Sequence, residues 1–241
     1  MSKELTSMLQ FKNATDSEVD LYFYGNIVSN WWGAWDNTDQ YPDTIKRFLN
    51  SANGRKINIH INSGGGNVFA GIAIFNMIKN YSGETVCYID GLAASIASVI
   101  ALASDRVIMR QGSCFMIHKP SCYLEGQYDT NDLVKVAENL DAIQRCIVDI
   151  YKNHIKDSTN IDDVVELMNK ETWFTSEEAA EYFNIELEAL EAVAFQGDLK
   201  SYFNVPENVK NNVLQLKNEQ KKVEKDKLQM QLDLLKLQVK I

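Results

Sequence analysis

Strand-like and helix-like spacings of apolar residues alternate along the first half of the chain. Residues 56–61 alternate apolar and polar side chains as a half-buried strand does, and residues 68–80 place apolar side chains three and four positions apart. Gly91 is interpreted as a turn between a strand predicted over residues 85–90 and a helix predicted over residues 93–103. Further strands are predicted over residues 19–28, 106–109 and 114–118, and a further helix over residues 43–51. This repeated order is typical of an α/β fold with a largely buried sheet.

The second half of the chain is predicted to be mostly helical. A polar loop after Pro120 leads to Thr130, which we expect to be the N-cap of a long helix that ends near Lys156. A shorter helix is expected over residues 160–169, and the run Thr175-Ser-Glu-Glu has the capping pattern of another helix. The apolar stripe of the long helix is formed by Leu133, Val136, Leu140, Ile143, Ile147 and Ile150.

Residues 206–241 differ from the rest of the chain in their spacing. From Val209 onwards, steps of four and three residues meet apolar side chains at most positions, as in the heptads of a coiled coil. We interpret this segment as a helical, coiled-coil tail; the alternative is an amphipathic helix that packs on its own domain. The expected organisation is an N-terminal segment over residues 1–18, a globular domain over residues 19–200 and this tail.

Composition and charge narrow the classes of function. The formal net charge of −9 argues against nucleic acid as a partner, because phosphate binding needs a basic face. No apolar run reaches the length of about eighteen residues that a membrane span needs, and the polar start of the chain lacks the pattern of a signal peptide. The four cysteines have no CxxC spacing, so we expect no metal site. We expect a protein of the cytoplasm that binds no cofactor, nucleic acid or membrane.

Ser95 is the candidate nucleophile. It follows a predicted strand and Gly91 and lies at the start of the helix predicted over residues 93–103, where free backbone N–H groups favour developing negative charge. The N–H of Ile96 would face the same pocket and could stabilise an oxyanion. The alternative is an ordinary helix N-cap, which is the commoner role of a serine at this place.

His118 is the candidate general base. The chain has three histidines, and His60 and His154 lie within a strand pattern and a helix pattern where a structural role is expected. His118 closes an apolar strand, so its ring can emerge at the carboxyl edge of the sheet, where ligand sites of open α/β sheets lie. The alternative role for His118 is structural, as a buried histidine whose ring nitrogens are hydrogen-bonded within the core.

The glycine run Gly64–Gly66 is interpreted as a backbone clamp for an extended peptide. It lacks the Lys-Ser/Thr of a phosphate loop, and glycines allow N–H groups to point into a cleft. We predict that Gly66 is the second oxyanion donor. The residues predicted to bind substrate are Gly64, Gly65, Asn67 and Val68.

Four motifs in this order resemble a known family: Ile61-Asn-Ser-Gly-Gly-Gly, Gly91-Leu-Ala-Ala-Ser, Met116-Ile-His-Lys-Pro and Glu171-Thr-Trp-Phe-Thr-Ser-Glu-Glu-Ala. Together they are similar to the Clp protease proteolytic subunit, and more closely to its bacteriophage relatives that act as head maturation proteases. The resemblance runs from about residue 20 to residue 185. It implies a crotonase-like fold of repeated ββα units, with a protruding handle formed by the long helix.

The resemblance also implies a catalytic triad and an assembly. The serine corresponds to Ser95, the histidine to His118 and the acidic member to Glu171, where cellular Clp subunits have aspartate. Asp162 or Asp163 is the alternative to Glu171 as the residue that orients the histidine. Gly64 stands where the family motif has proline. The implied partner is the chain itself, in a homo-oligomeric ring that is a heptamer or a double ring in the family.

The leading functional hypothesis is a serine endopeptidase that cleaves capsid or scaffold proteins during procapsid assembly, in the cytoplasm or inside the procapsid. The first alternative is a Clp-type degradation subunit that an AAA+ unfoldase supplies with substrate. The second is an assembly or scaffold protein with a degenerate active site. An acyl-CoA enzyme of the same fold is less favoured, because that chemistry does not need Ser95 and His118.

Overall fold

The computed structural model describes residues 15–34, 36 and 38–188. Within this part of the chain, seven strands form one sheet and six α-helices surround it. The strands are β1 (Glu18–Phe23), β2 (Lys56–Ser63), β3 (Thr85–Ala94), β4 (Arg106–Arg110), β5 (Cys114–Ile117), β6 (Thr172–Thr175) and β7 (Glu186–Glu188). The helices are α1 (Pro42–Ala52), α2 (Val68–Lys79), α3 (Ile96–Ala101), α4 (Thr130–Lys152), α5 (Ile161–Asn169) and α6 (Ser176–Tyr182).

The main sheet has the order β1-β2-β3-β4-β7, and all of these strands run parallel. The first four strands are parallel because α1, α2 and α3 each return the chain to the same edge of the sheet. On β2 the alternate residues Ile57, Ile59 and Ile61 are fully buried, and they join one apolar core with side chains of the three helices. The strand and helix periods predicted for this region are confirmed, as is the α/β fold class.

The opposite face of the sheet carries half-buried aromatic and charged side chains. The imidazole of His60 stacks between Tyr22 and Tyr88, with ring centroids 4.7 and 5.3 Å apart. The Asp90 carboxylate is 1% exposed and contacts the Tyr24 hydroxyl at 2.5 Å, His60 Nδ1 at 2.9 Å and Arg110 Nη1 at 3.1 Å. These three contacts compensate for burying a charge, and they place His60 in a structural role, as expected from its strand position.

The strand β3 is longer than predicted, and the predicted turn at Gly91 is wrong. The strand continues through Gly91 to Ala94 because its second half has a partner of its own: Leu92, Ala93 and Ala94 pair with the short strand β5. The helix α3 therefore begins at Ile96. Near the start of the chain, the strand predicted over residues 19–28 is shorter than expected and ends at Phe23.

The boundaries of the later elements also differ from the predictions. Asp129, and not Thr130, is the N-cap of α4, because its side chain accepts the Asp132 N–H at 2.9 Å; α4 ends at Lys152. Asn160 caps α5 and Thr175 caps α6 with the predicted capping box. The short strands β6 and β7 were not predicted, because each is too short to show a period.

Only the C-terminal half of α4 is packed in the subunit. Gln144, Ile147 and Tyr151 are its buried residues, whereas Leu133 is 49% and Val134 51% exposed. The apolar stripe predicted for α4 therefore continues beyond the core of the subunit. The predicted tail over residues 206–241, the end of the domain near residue 200 and most of the segment 1–18 lie outside the described residues. No helix of residues 15–188 is long and apolar enough to cross a membrane.

Candidate active site

Ser95 is the single residue between β3 and α3, and its backbone conformation is unusual. Its φ of 55° and ψ of −129° are unfavourable for a residue that has a Cβ atom. The Ser95 N–H donates to the Met116 carbonyl oxygen at 3.0 Å. Ser95 occupies the N-cap position of α3, but its hydroxyl makes no capping hydrogen bond, so the side chain does not have the role of an ordinary N-cap. A sharp, strained turn between strand and helix is the way in which α/β hydrolases display a nucleophile.

The His118 imidazole contacts the Ser95 hydroxyl directly. The distance from His118 Nε2 to Ser95 Oγ is 2.7 Å. His118 follows β5, and β5 lies beside the end of β3 through the pair of Met116 with Ala94. The extra pairing that lengthens β3 therefore also brings the histidine to the serine. A neutral imidazole at this distance can accept the hydroxyl proton.

Glu171 lies on the other side of the imidazole. Its Oε2 is 3.7 Å from His118 Nδ1, and the Trp173 indole N–H donates to its Oε1 at 3.5 Å. Glu171 directly precedes β6, and β6 runs antiparallel to β5 with Thr172 opposite Ile117. That register places residue 171 beside residue 118. The backbone of Glu171 has a φ of 51°, so the chain reverses sharply between α5 and β6.

The alternative carboxylates lie at the far end of α5. Asp162 and Asp163 are exposed and belong to the first turn of the helix, whereas Glu171 follows its last residue, Asn169. The structure thus brings Ser95, His118 and Glu171 together and leaves Asp162 and Asp163 outside this cluster.

The protonation of His118 is set by two opposing effects. Burial lowers the pKa of His118, and the neighbouring Glu171 carboxylate raises it; the burial effect is the larger. The net lowering keeps the imidazole neutral at neutral pH. This is the state that a general base needs.

The glycine segment approaches Ser95 through Gly65. A Cβ atom at Gly65 would lie 2.7 Å from the Ala94 carbonyl oxygen and 2.8 Å from Ser95 Cβ. The backbone of Gly65 also has a φ of 93°, which residues with a side chain rarely adopt. Gly66, with a φ of 142°, has its α-carbon against the backbone of Ile27. The Ile27 N–H donates to the Gly65 carbonyl oxygen at 2.8 Å, and the Ile27 carbonyl oxygen accepts the Asn67 N–H at 2.7 Å. In this parallel pairing the N–H of Gly66 points away from Ile27.

The other predicted substrate-binding residues flank this segment. Gly64 and Val68 are half-buried, and Val68 is the first residue of α2. The Asn67 side chain accepts the Ala70 N–H at 2.9 Å and so caps α2. The backbone polar groups of Asn67 are also bonded within the subunit, because its N–H donates to the Ile27 carbonyl oxygen and its carbonyl oxygen accepts the Gly71 N–H at 3.0 Å.

The family model for Clp protease matches residues 40–185, which is more than half of the chain. The chain belongs to the Clp protease family. The ATP-dependent Clp protease proteolytic subunit of Bacteroides fragilis is 32% identical over 131 residues, or 54% of this chain and 61% of that protein. Subunit 1 of the same name from Chlamydia abortus is 32% identical over 145 residues, or 58% of this chain and 74% of that protein.

A solved structure supports the fold of this Clp protease family member. The chain superposes on a ClpP1 mutant from Listeria monocytogenes with a TM-score of 0.57, 21% sequence identity, and coverage of 71% of this chain and 91% of that chain. At this identity the likeness shows the fold alone. The predicted ClpP-like α/β fold is thereby confirmed. The match to the Bacteroides fragilis relative spans about three fifths of its length, 61%.

Ser63 supports the glycine segment of this Clp protease family member, and the sequence reasoning did not single it out. Its buried hydroxyl donates to the Gly25 carbonyl oxygen at 2.6 Å and accepts the Gly65 N–H at 3.1 Å. The signal available in the sequence was a small polar residue between a buried strand and three glycines. Among residues 15–188, moreover, no group of His, Cys, Asp or Glu side chains is arranged to hold a metal ion.

Proposed function

We propose that this chain is a serine peptidase of the Clp type in which Ser95, His118 and Glu171 form the catalytic triad. The observation that carries the proposal is the 2.7 Å contact between His118 Nε2 and the hydroxyl of a serine held in a strained turn. Family membership supports the same class of reaction. A degenerate active site is disfavoured by this geometry, because a site without function has no need of a strained nucleophile.

The proposed reaction uses two proton transfers by the same imidazole. Ser95 Oγ forms a bond to the peptide carbonyl carbon while its proton moves to His118 Nε2, and the carbonyl oxygen becomes an oxyanion. His118 then gives the proton to the leaving amine, and the C–N bond breaks. Water then attacks the acyl carbon of the acyl-enzyme while its proton moves to His118. The bond from that carbon to Ser95 Oγ breaks as His118 returns the proton to the serine. Glu171 stabilises the imidazolium that forms between the two transfers.

The oxyanion is received by backbone N–H groups in this proposal. The N–H of Ile96 follows the nucleophile at the start of α3, and the N–H of Gly66 points away from Ile27. The extended substrate lies along Gly64, Gly65, Asn67 and Val68, where the missing side chains of the glycines allow a close approach. Two donors of this kind contribute about 10²-fold or more each to the rate of acyl transfer.

A fluorophosphonate probe tests the serine assignment. The full chain is expected to gain one phosphonyl group on Ser95, located by mass spectrometry of the digested protein. The Ser95→Ala variant should take up none, while Ser51→Ala, which removes an exposed hydroxyl on α1, should react as the wild type does. Labelling of the Ser95→Ala protein at an unchanged rate would remove Ser95 from the mechanism. A wild-type chain that does not react in its assembled state would favour the scaffold function.

For the substrate, we propose capsid or scaffold proteins cleaved during procapsid assembly, in the cytoplasm or inside the procapsid. This proposal rests on the likeness of the four motifs to phage head maturation proteases. Coexpression with the capsid and scaffold proteins of the genome that encodes this chain, if that genome has them, is expected to yield a shortened capsid or scaffold product with the wild type and none with Ser95→Ala. Full-length product in both cases would contradict it.

The second candidate is a degradation subunit that works with an AAA+ unfoldase. The relatives from Bacteroides fragilis and Chlamydia abortus are both named ATP-dependent Clp protease proteolytic subunits, and this favours the second candidate. The two functions separate in one assay, in which the chain is mixed with an unfoldase and a folded, tagged substrate. A degradation subunit requires ATP for cleavage, whereas a maturation protease gains nothing from it.

For the assembly, we propose a homo-oligomeric ring in which α4 contacts neighbouring copies. The exposed Leu133 and Val134 on the N-terminal half of α4 support this proposal. An apolar patch that the subunit itself does not cover is a common feature of protein interfaces.

A further inference from the structure

Two buried hydroxyl groups, on Ser98 and Tyr151, lie behind the carbonyl of Ser95. The Ser98 hydroxyl donates to the Ser95 carbonyl oxygen at 2.5 Å and lies 2.7 Å from the Tyr151 hydroxyl. Ser98 is 0% and Tyr151 1% exposed. Because the Ser98 proton is used for the carbonyl, the Tyr151 hydroxyl is the donor to Ser98 Oγ. The three groups form one chain of hydrogen bonds that polarise each other.

The tyrosine distinguishes this arrangement from an ordinary helical serine. A serine that bonds to the carbonyl three residues earlier is common, and Ser113 does so to the Arg110 carbonyl at 2.7 Å. At Ser98 a second hydroxyl arrives from the C-terminal end of α4, 53 residues later in the chain. Two apolar side chains would fill this space without needing hydrogen bonds, so packing alone does not account for the pair.

The Ser95 carbonyl shares a rigid peptide plane with the N–H of Ile96. The C=O and N–H of one peptide group point in opposite directions, so a bond that orients the carbonyl also orients the N–H. Two donors hold this carbonyl, the Ser98 N–H at 3.0 Å and the Ser98 hydroxyl. On the other side of Ser95, the Met116 carbonyl oxygen holds the Ser95 N–H. The peptide groups before and after Ser95 are thus both held by hydrogen bonds to other residues, Met116 on one side and Ser98 on the other.

We propose that Ser98 and Tyr151 are positioning residues that orient the Ser95–Ile96 peptide and thereby aim the Ile96 N–H at the oxyanion. This inference rests on the proposed peptidase function. It identifies a hydrogen-bond chain that begins on α4 and ends at the peptide that follows the nucleophile. Its failure is distinguishable from the failure of the peptidase proposal, because the orientation of the peptide can be measured in an inactive protein.

The test compares Ser98→Ala, Tyr151→Phe and Ser98→Thr in the full chain, with Ser113→Ala as the matched control. Hydrolysis of a short fluorogenic peptide gives kcat and KM, and a peptide boronate reports the affinity of the oxyanion site. Ser98→Ala is expected to lower kcat and boronate affinity by about 10²-fold, with KM changed by no more than about twofold. Tyr151→Phe is expected to lower kcat by about tenfold, because the Ser98 bond persists but is less polarised. Ser98→Thr restores the hydroxyl and most of the rate.

Each result decides the inference. Ser113→Ala removes the same kind of bond outside the site and should leave kcat unchanged, so equal kcat values for Ser98→Ala and Ser113→Ala would overturn it. If Ser98→Ala does not fold, Tyr151→Phe decides, and a kcat equal to that of the wild type would count against the proposal. If the wild type hydrolyses nothing, the peptidase function fails, and crystal structures of the wild type and Tyr151→Phe decide the positioning role. A rotated Ser95–Ile96 peptide in the variant supports it, and an unchanged peptide overturns it.

Discussion

At the scale of single residues, the site depends on two adjacent segments whose backbones lie in unusual conformations. Ser95 adopts a φ of 55°, and Gly65, which touches it, adopts a φ of 93°. Only glycine is comfortable at the second position, both because of its φ and because a Cβ atom would meet Ala94 and Ser95. The position of the Ser95 hydroxyl therefore depends on residue 65 being a glycine.

The substitution Gly65→Ala tests this dependence. It is expected to reduce the rate of fluorophosphonate labelling at Ser95 by about 10²-fold, because displacement of a reacting atom by about 1 Å has effects of that size. The free energy of unfolding should fall by about 1–3 kcal/mol. Gly126→Ala is the control, since Gly126 also has a positive φ, of 120°, but a Cβ atom there would lie 4.0 Å from Tyr128 Cε2, which is an ordinary contact distance. That variant should label normally; wild-type labelling of Gly65→Ala would contradict the prediction.

The lowered pKa of His118 predicts the pH dependence of the reaction. The base must be neutral, so kcat/KM is expected to be constant at neutral pH and to fall as the pH drops through the His118 pKa, below the ordinary value of 6.5. In Glu171→Gln the carboxylate no longer raises that pKa, so the acid limb should move to lower pH. The plateau should also fall, by between about 10² and 10⁴-fold, because the imidazolium loses its counter-charge.

Measurements of kcat/KM from pH 4 to pH 9 on the wild type and Glu171→Gln check both effects. Asp162→Asn provides the control, because its carboxylate lies in the first turn of α5 and is expected to leave the profile unchanged. An acid limb above pH 6.5 in the wild type, or a limb that moves upward in Glu171→Gln, would show that another group is titrating.

At the scale of elements, the sequence predicts the parts of the fold that local spacing controls. The period of β2, the helix α2 and the capping box of α6 are all present in short stretches of sequence. Gly91 was misinterpreted because a glycine at the end of a strand pattern ordinarily marks a turn. Here the second half of β3 is stabilised by β5, a pairing between distant residues that no local pattern contains.

The same distinction applies to the site. Ser95 and His118 could be proposed from their places after predicted strands, because those places follow from local pattern. The choice between Glu171 and the aspartates at the start of α5 depends on the register of β6 against β5. That strand has four residues and no readable period, so the third position could be taken only from the resemblance. Ser98 and Tyr151 were missed because their meeting depends on how α4 packs on α3.

At the scale of the whole molecule, α4 has two different environments. Its C-terminal half contributes Ile147 and Tyr151 to the core and reaches the peptide behind Ser95 through Ser98. Its N-terminal half exposes Leu133 and Val134. One helix thus connects the proposed active site with the surface proposed to contact other copies.

The substitution Leu133→Asp tests whether that surface mediates assembly. Burial of one large apolar side chain contributes about 1.5–3 kcal/mol, so an acidic residue there should weaken the association of copies by at least about tenfold. Sedimentation velocity over a dilution series measures the change as a shift toward the monomer. Leu187→Asp is the matched control, because Leu187 in β7 is 53% exposed and lies outside α4. If both variants assemble as the wild type does, or if both dissociate equally, α4 is not the contact that holds copies together. Selective dissociation of Leu133→Asp, with circular dichroism unchanged, would place the assembly contact on the same helix that supports the Ser95 peptide.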